Sequence, residues 1–243
     1  MKGTAPAGIS TEQEASRWVR AMFGRIAPRY DLANHVLSFN LDRRWRAQTV
    51  KRVRHILERS DARSLDLCCG TGDLLIALQT RSAQAVMGSD FCHPMLTAAA
   101  GKIARRKFHC PLFEADALAL PLPDSVLDLV TVAFGFRNLA NYQAGLAEMY
   151  RVLKPSGISA ILEFSQPRSS VFGKLYGFYS RKLLPAIGGA LSGSRDAYGY
   201  LPQSIERFPP AEELAEQMRA AGFRTVEFIR MTGGTVALHL GTK

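Results

Sequence analysis

Between Arg63 and Phe164 the chain alternates short β-rich runs with stretches whose apolar residues recur at helical spacing, and this alternation restricts the fold more than any other feature. The strand candidates are RSLDLC (63–68), AVMGSD (85–90), FHCPLFEAD (108–116), SVLDLVTVAF (125–134) and ISAILEF (158–164). LLIALQTR, PMLTAAAGKIARR and NYQAGLAEMYRVL lie between them with helical periodicity, and KPSG (154–157) stops the last helix with a proline and a glycine. Continuous apolar strands are buried on both faces, which predicts an α/β fold with a mostly parallel sheet flanked by helices. After Phe164 the alternation stops. Residues 166–206 are rich in aromatics, glycine and arginine; AEELAEQMRAAGF then makes a helix ending at Gly222, followed by the strands TVEFIRM and TVALHLG. The predicted organisation is a helical amino-terminal cap (1–60), an α/β core (61–165), a helical insertion (166–210), and a last helix with two strands (211–243) that complete the core sheet of one structural domain.

At 243 residues and 47% hydrophobic the chain has material for a substantial core. The polar start MKGTAPAGIS carries no apolar stretch of the kind a secretory signal needs, and no apolar run approaches the ~20 residues of a membrane span. Cys68, Cys69, Cys92 and Cys110 have no C-x-x-C spacing, which disfavours a zinc site or a disulfide framework and suits a reducing cytosol. The net charge of +10 is uneven: residues 1–60 hold 12 Lys/Arg against 5 Asp/Glu, and residues 166–210 hold 6 against 2. Two basic segments thus flank a neutral middle. Such surpluses attract phosphate groups, of nucleic acid or of anionic lipid, unless they are simply solvated surface.

LDLCCGTGD (65–73) ends the first strand and starts the next helix, with Gly70 and Gly72 allowing a tight turn and close approach of a ligand to main-chain N–H groups. Eighteen residues past Gly72 the second strand ends in Asp90, placed either to bind a ribose diol or to cap the helix that follows. A dinucleotide fingerprint needs a small residue at position 75, where this chain has Leu75, and Asp73 at the helix start would repel a pyrophosphate. An ammonium or sulfonium centre instead welcomes an acid there. S-adenosylmethionine (SAM) fits, with Asp66 and the loop amides at its amino-acid portion, Asp90 at the ribose, and Asp116 with the amide of Ala117 at the adenine. No metal-ligand cluster is evident, and the five histidines form no evident dyad.

LDLCCGTGD, the DA-LALPLPDSVLD segment (116–128), FGFRN (134–138), EMYRVLKPSG and LEFSQP resemble the quinone-biosynthesis C-methyltransferases, a ubiquinone/menaquinone family of class I SAM-dependent enzymes. FGRIAPRYDLANHVLSFNLDRRWR (23–46), YLPQSIERFPPAEEL and TGGTVALHLG extend the resemblance over nearly the whole chain. The resemblance implies a Rossmann-like seven-stranded sheet, and SAM contacts from Asp66, Gly70, Thr71, Gly72, Asp90, Phe91, Asp116, Ala117 and Ala133. Ala133 stands where the family often has serine, so a hydroxyl contact there must be absent or replaced by the backbone. Cys68 stands where many methyltransferases have glycine.

The reaction implied is methylation of a ring carbon of a reduced, prenylated quinone, with demethylmenaquinol as the expected substrate and a benzoquinol or phytyl-naphthoquinol as alternatives. Arg137, Asn138 and Tyr30 are the implied catalytic residues. A guanidinium stays protonated, so Arg137 is read as the partner of a quinol oxyanion rather than as a base, or else as an ion-pair partner of Asp31. Asn138 orients the other oxygen or a water, Tyr30 relays a proton, and Phe134 and Phe136 flank the ring if the backbone aims them there. Phe172, Tyr176, Tyr179 and Leu183 fall on one face of a helical stretch at 170–191, either packed on the core or forming a tunnel wall or interfacial lid. These readings describe a cytoplasmic enzyme peripherally attached to an anionic membrane surface, compatible with a homodimer. A nucleic-acid-binding module is disfavoured because the basic residues lie outside the sheet.

Overall fold

The computed structural model describes residues 3, 4, 6–167, 177 and 195–243. Its strands are β1 (Ser64–Leu67), β2 (Met87–Asp90), β3 (Leu112–Glu114), β4 (Leu127–Ala133), β5 (Leu153–Phe164), β6 (Thr225–Met231) and β7 (Val236–Thr242). The helices are α1 (Glu12–Ile26), α2 (Tyr30–Leu37), α3 (Leu41–Leu57), α4 (Asp73–Gln79), α5 (His93–Arg105), α6 (Tyr142–Val152), α7 (Arg195–Arg207) and α8 (Ala211–Ala220). The strands form one sheet in the order β3-β2-β1-β4-β5-β7-β6, in which β7 alone runs antiparallel to its neighbours β5 and β6. The chain steps outward from β1 to β3 and then returns to place β4 on the other side of β1. That reversal opens a crevice at the carboxyl ends of β1 and β4, where open α/β sheets bind ligands.

Helices cover both faces. Trp45, Val53 and Leu57 of α3, Leu75 and Leu78 of α4 and Ile103 of α5 form the core on one face. Leu146 and Met149 of α6, Leu214 and Met218 of α8, and Phe223 form it on the other. Each such side chain contributes about 1.5–3 kcal/mol by leaving water. A third cluster seats the amino-terminal helices: Val19, Met22 and Ile26 of α1 and Ala33 and Leu37 of α2 meet Cys92, Met95 and Tyr200. Thr11 starts α1 by accepting the N–H of Glu14 at 3.2 Å, and Glu12 and Glu14 in the first turn complement the helix dipole.

Two elements differ from the sequence reading. β5 begins at Leu153, so KPSG lies within the strand; Leu153 pairs with Leu127, the register then shifts, and Ser156 adopts φ 67°. The segment 108–116 yields only Leu112–Glu114, because β3 is an edge strand with β2 as its single neighbour. The stripe at 170–191, Gly177 apart, lies outside the described residues.

Leu75, which argued against a dinucleotide fold, is fully buried. Space for it comes from the neighbouring strand: a Cβ on Gly88 of β2 would lie 2.6 Å from Leu75 Cδ2 and 2.7 Å from Leu112 Cδ2. The missing small residue on the helix is thus matched by a glycine on the sheet. Gly88→Ala overpacks this contact and is expected to cost about 1–3 kcal/mol, read as a lowered urea midpoint with an unchanged m-value. An unshifted midpoint shows that α4 can move away from β2 freely.

Candidate active site

The crevice is built from the ends of parallel strands. β1 delivers Asp66 and leads into Cys68–Gly72; β2 ends in Asp90 and Phe91; β3 leads to Asp116 and Ala117; β4 ends in Ala133, Phe134 and Gly135. Tyr30 and Phe23 from the amino-terminal helices, and Asn138 and Leu139 after β4, close the remaining wall. Ten of the sequence-predicted residues line this cleft, brought together from strand ends, from α2 and from the turn after β4, and Gly72, at the head of α4, adjoins it.

Left-handed backbone shapes the cofactor loop. Gly70 (φ 55°) and Gly72 (φ 84°) occupy it without strain, and nothing lies within 4 Å of where a Gly70 Cβ would stand, leaving room for a ligand. Cys68 also sits at φ 51°, which accounts for the advantage of glycine at that place. Its side chain is tolerated because Gly135 faces it: a Cβ on Gly135 would meet Cys68 Cβ at 2.6 Å. Asp90 braces the loop, its Oδ2 accepting from Gly70 N at 2.9 Å and its Oδ1 from Cys92 N at 2.9 Å. Asp90 is not the N-cap of α5, a place Cys92 takes; its carboxylate ties the glycine turn to the residue before that helix and lines the cleft. Thr71 lines it as well, but its hydroxyl is committed to Asp31 Oδ1 at 2.5 Å.

Asp66 is 1% exposed; its Oδ1 accepts from Thr131 Oγ1 at 2.7 Å, while among the described residues its Oδ2 has no hydrogen-bond partner. Burial pushes its carboxyl up to about 7, and burial likewise pushes Asp90 to about 6. An unpartnered buried carboxylate oxygen, an open glycine turn and a second carboxylate at the next strand end suit a cationic ligand carrying a diol. SAM has that chemistry, and these residues fit it.

The opposite side is aromatic and polar. Phe134 adopts φ 58°, uncommon for a bulky residue, which turns its ring toward Trp45 (centroids 5.8 Å) and Phe164 (4.9 Å). Phe136 does not join it: it is fully buried on the other face of the sheet, stacked on Tyr142 at 5.7 Å, so the pair does not flank a common ring. Arg137 stands behind the wall at 5% exposure, and its partner is Glu163 rather than Asp31, with Nη1 donating to Oε1 at 3.0 Å. It also donates to the carbonyl of Phe134 and, through Nε, to Ser204 Oγ at 3.3 Å, and it lies over the Phe164 ring. Burial opposes its charge, but Glu163 holds its pKa above the usual guanidinium value. Asn138 Oδ1 accepts from Tyr200 at 3.0 Å, and Tyr200 in turn lies 2.5 Å from Thr4 Oγ1. Burial raises the pKa of Tyr30, and the charge of Arg137 opposes that rise.

Sequence reasoning missed Glu163, Ser204 and Tyr200 as the partners of Arg137 and Asn138, although LEFSQP and YLPQSI contain them. It also missed an ion network joining the amino-terminal helices to the loop. Asp31 accepts from Lys102 Nζ at 2.8 Å, Lys102 also holds Asp73, and Arg46 pairs with Asp42. His35 lies 2.8 Å from Asp42, a pairing the scattered histidines did not reveal. His35, Asp42 and Asp73 approach one another within 4.8 Å, but Arg46 and Lys102 already balance the acids.

The raised pKa of Asp66 gives a signed expectation. Its folded value exceeds the unfolded one near 3.9, so stability is lost as pH rises from about 4, where the unfolded chain ionises, to about 7, where the folded group does. A bound ammonium favours that ionised form. SAM affinity by calorimetry is therefore expected to tighten about tenfold from about pH 6 to about pH 8, with Asp66→Asn weaker and flat across that range. An unchanged slope in Asp66→Asn assigns the dependence to another group.

Comparison with known proteins agrees with this architecture. Demethylmenaquinone methyltransferase of Thermus thermophilus is 48% identical over 223 residues, covering 91% of this chain and 100% of that protein. The Deinococcus radiodurans demethylmenaquinone methyltransferase is 44% identical, covering 97% and 96%. The ubiquinone/menaquinone biosynthesis C-methyltransferase of Geobacter sulfurreducens is 43% identical, covering 95% and 90%. Among solved structures, the [4+2]-cyclase SpnF matches with TM-score 0.68 at 16% identity over 100% of this chain and 99% of that one. A Thermotoga maritima SAM-dependent methyltransferase, described as a possible histamine N-methyltransferase, matches with TM-score 0.62 at 19% identity, covering 93% and 99%. These distant structures share the fold and differ in chemistry. The ubiE/COQ5 methyltransferase family matches residues 10–243, and the chain belongs to that family.

Proposed function

We propose that this protein methylates the ring carbon of demethylmenaquinol, using SAM as methyl donor. The observation that carries the reading is one cleft with two chemically distinct sides: Asp66, Asp90 and the glycine turn on one, and Tyr30, Phe134 and Asn138 on the other. The relatives named demethylmenaquinone methyltransferase, identical over 40–48% of nearly full-length alignments, favour the naphthoquinol over other rings. SAM, when bound, supplies an activated methyl group to the ring carbon, which gives up its proton as aromaticity returns.

The protein's part is to hold the ring beside the donor and favour the quinolate, whose charge makes the carbon nucleophilic. Asp66 takes the ammonium of SAM and Asp90 its ribose; Gly70, Thr71, Gly72, Phe91, Asp116, Ala117 and Ala133 complete that half. Asn138, fixed by Tyr200, orients a quinol oxygen. Tyr30, whose raised pKa keeps the phenol protonated, donates to an oxygen or passes a proton outward. Arg137, held by Glu163 behind the aromatic wall, lends its charge to the quinolate. A prenylated substrate resides in lipid, so the protein works as a peripheral membrane enzyme; no described helix is long and apolar enough to cross a bilayer.

Incubation with methyl-labelled SAM and either a reduced prenyl-naphthoquinol or a prenyl-benzoquinol tests the assignment, with naphthoquinol labelling expected. Arg137→Lys keeps the charge but loses the planar fork, and is expected to lower kcat about tenfold or more with SAM affinity within about twofold. SAM binding without label transfer to either quinol removes the substrate assignment. Full activity in Arg137→Lys removes the guanidinium's proposed role.

A further inference from the structure

An eight-residue surface helix ordinarily turns apolar side chains inward and polar ones to water. α2 does the first, burying Ala33 and Leu37 one turn apart, but not the second. Its outer face carries Leu32, 57% exposed, and Val36, 43% exposed, again one turn apart, and Phe39, 72% exposed, lies in the turn that follows. These are the exposed large hydrophobic side chains among the described residues, and all three fall within eight positions.

The charge around this stripe is of one sign. Residues 25–55 contain eight Arg or Lys and two acids, Asp31 and Asp42. Both acids are turned inward: Asp31 accepts from Lys102 and Thr71, and Asp42 is buried with Arg46 and His35. Arg25 and Arg29, before α2, and Arg43 and Arg44, in the first turn of α3, are exposed, and no ion pair engages them among the described residues. Lys51 and Arg52 continue the exposed basic surface along α3. An apolar stripe flanked by arginines without counter-charge complements an anionic lipid surface, which accepts apolar side chains at its acyl boundary and guanidinium groups at its phosphates. Tyr30, the first residue of the same helix, lines the cleft.

We propose that the outer face of α2 docks the protein on an anionic bilayer, with Leu32, Val36 and Phe39 entering the headgroup boundary and Arg25, Arg29, Arg43 and Arg44 contacting phosphates. Docking sets the cleft mouth against the lipid that holds the substrate tail. This placement rests on the prenylated-quinol reading, whereas the binding itself can be measured without any quinol.

Sedimentation with vesicles of phosphatidylglycerol and phosphatidylcholine, against pure phosphatidylcholine, tests it, alongside methylation of a short-chain, water-soluble naphthoquinol. The full chain is expected to bind the anionic vesicles and to be released by about 0.5 M salt. Leu32→Gln/Val36→Gln and Arg43→Gln/Arg44→Gln are each expected to weaken that binding about tenfold or more, with turnover of the soluble quinol unchanged. Vesicle binding at wild-type strength in both variants overturns the proposal, as does equal binding to neutral vesicles or salt-sensitive binding to RNA in place of vesicles. Loss of soluble-quinol turnover in the Gln variants also overturns it, because the stripe then belongs to the site. Lipid binding that follows these expectations while no quinol is methylated upholds the surface and removes the substrate assignment instead.

Discussion

Glu163 holds the guanidinium of Arg137 at 3.0 Å where neither charge has water. One carboxylate oxygen also accepts the Phe164 N–H at 2.9 Å, and the other accepts the Arg137 N–H at 3.1 Å. The pair thereby welds the end of β5 to the turn after β4, and Ser204 joins α7 to the same knot. Removing one partner from such a pair leaves a buried charge uncompensated, at a cost of about 3–5 kcal/mol. The left-handed turn at Phe134 exists inside this frame: its carbonyl points at Arg137 and its ring at Phe164 and Trp45. Phe134 and Asn138, on the quinol side of the cleft, depend on where that turn is held.

The cofactor side relies on a different economy of charge. Asp66 and Asp90 both line the crevice, and burial makes both reluctant to ionise. A cationic ligand relieves that reluctance, so the empty and loaded forms differ in proton content as well as in contacts. The amino-terminal helices complete this side through side-chain ions. Asp31, Lys102, Asp73, Arg46 and Asp42 link α2, α3, α4 and α5 around the glycine turn. The loop is thus braced from the sheet by Asp90 and from above by ions partly open to solvent. Thr71 joins the glycine turn to the amino-terminal helices, its hydroxyl donating to Asp31.

Much of this was legible along the chain. Strand–helix alternation specified a parallel sheet because apolar periodicity reports burial directly, and the two closing strands were visible as separate runs. The glycine turn and the strand-end acids could be read because their chemistry is local: a tight turn needs glycine, and the end of a strand delivers its next side chain to the crevice. The helix does end before KPSG, at Val152, but the strand expected from Ile158 already starts at Leu153 and includes the proline and glycine. Here irregular pairing with Leu127 carries the strand through them. Phe134 and Phe136 looked equivalent, two residues apart, until a single φ of 58° sent them to opposite faces of the sheet.

What the sequence determined by itself was the layered α/β fold, the glycine turn after β1 and ten of the residues that meet in the cleft. Which partner each charged group takes was settled only by the tertiary structure. Arg137 is 106 positions from Asp31 and 26 from Glu163, and neither spacing says which carboxylate it meets. The reason is physical: hydrophobic periodicity is a property of one element, whereas a buried ion pair or an exposed apolar stripe is defined by what the other elements bring, or fail to bring, against it.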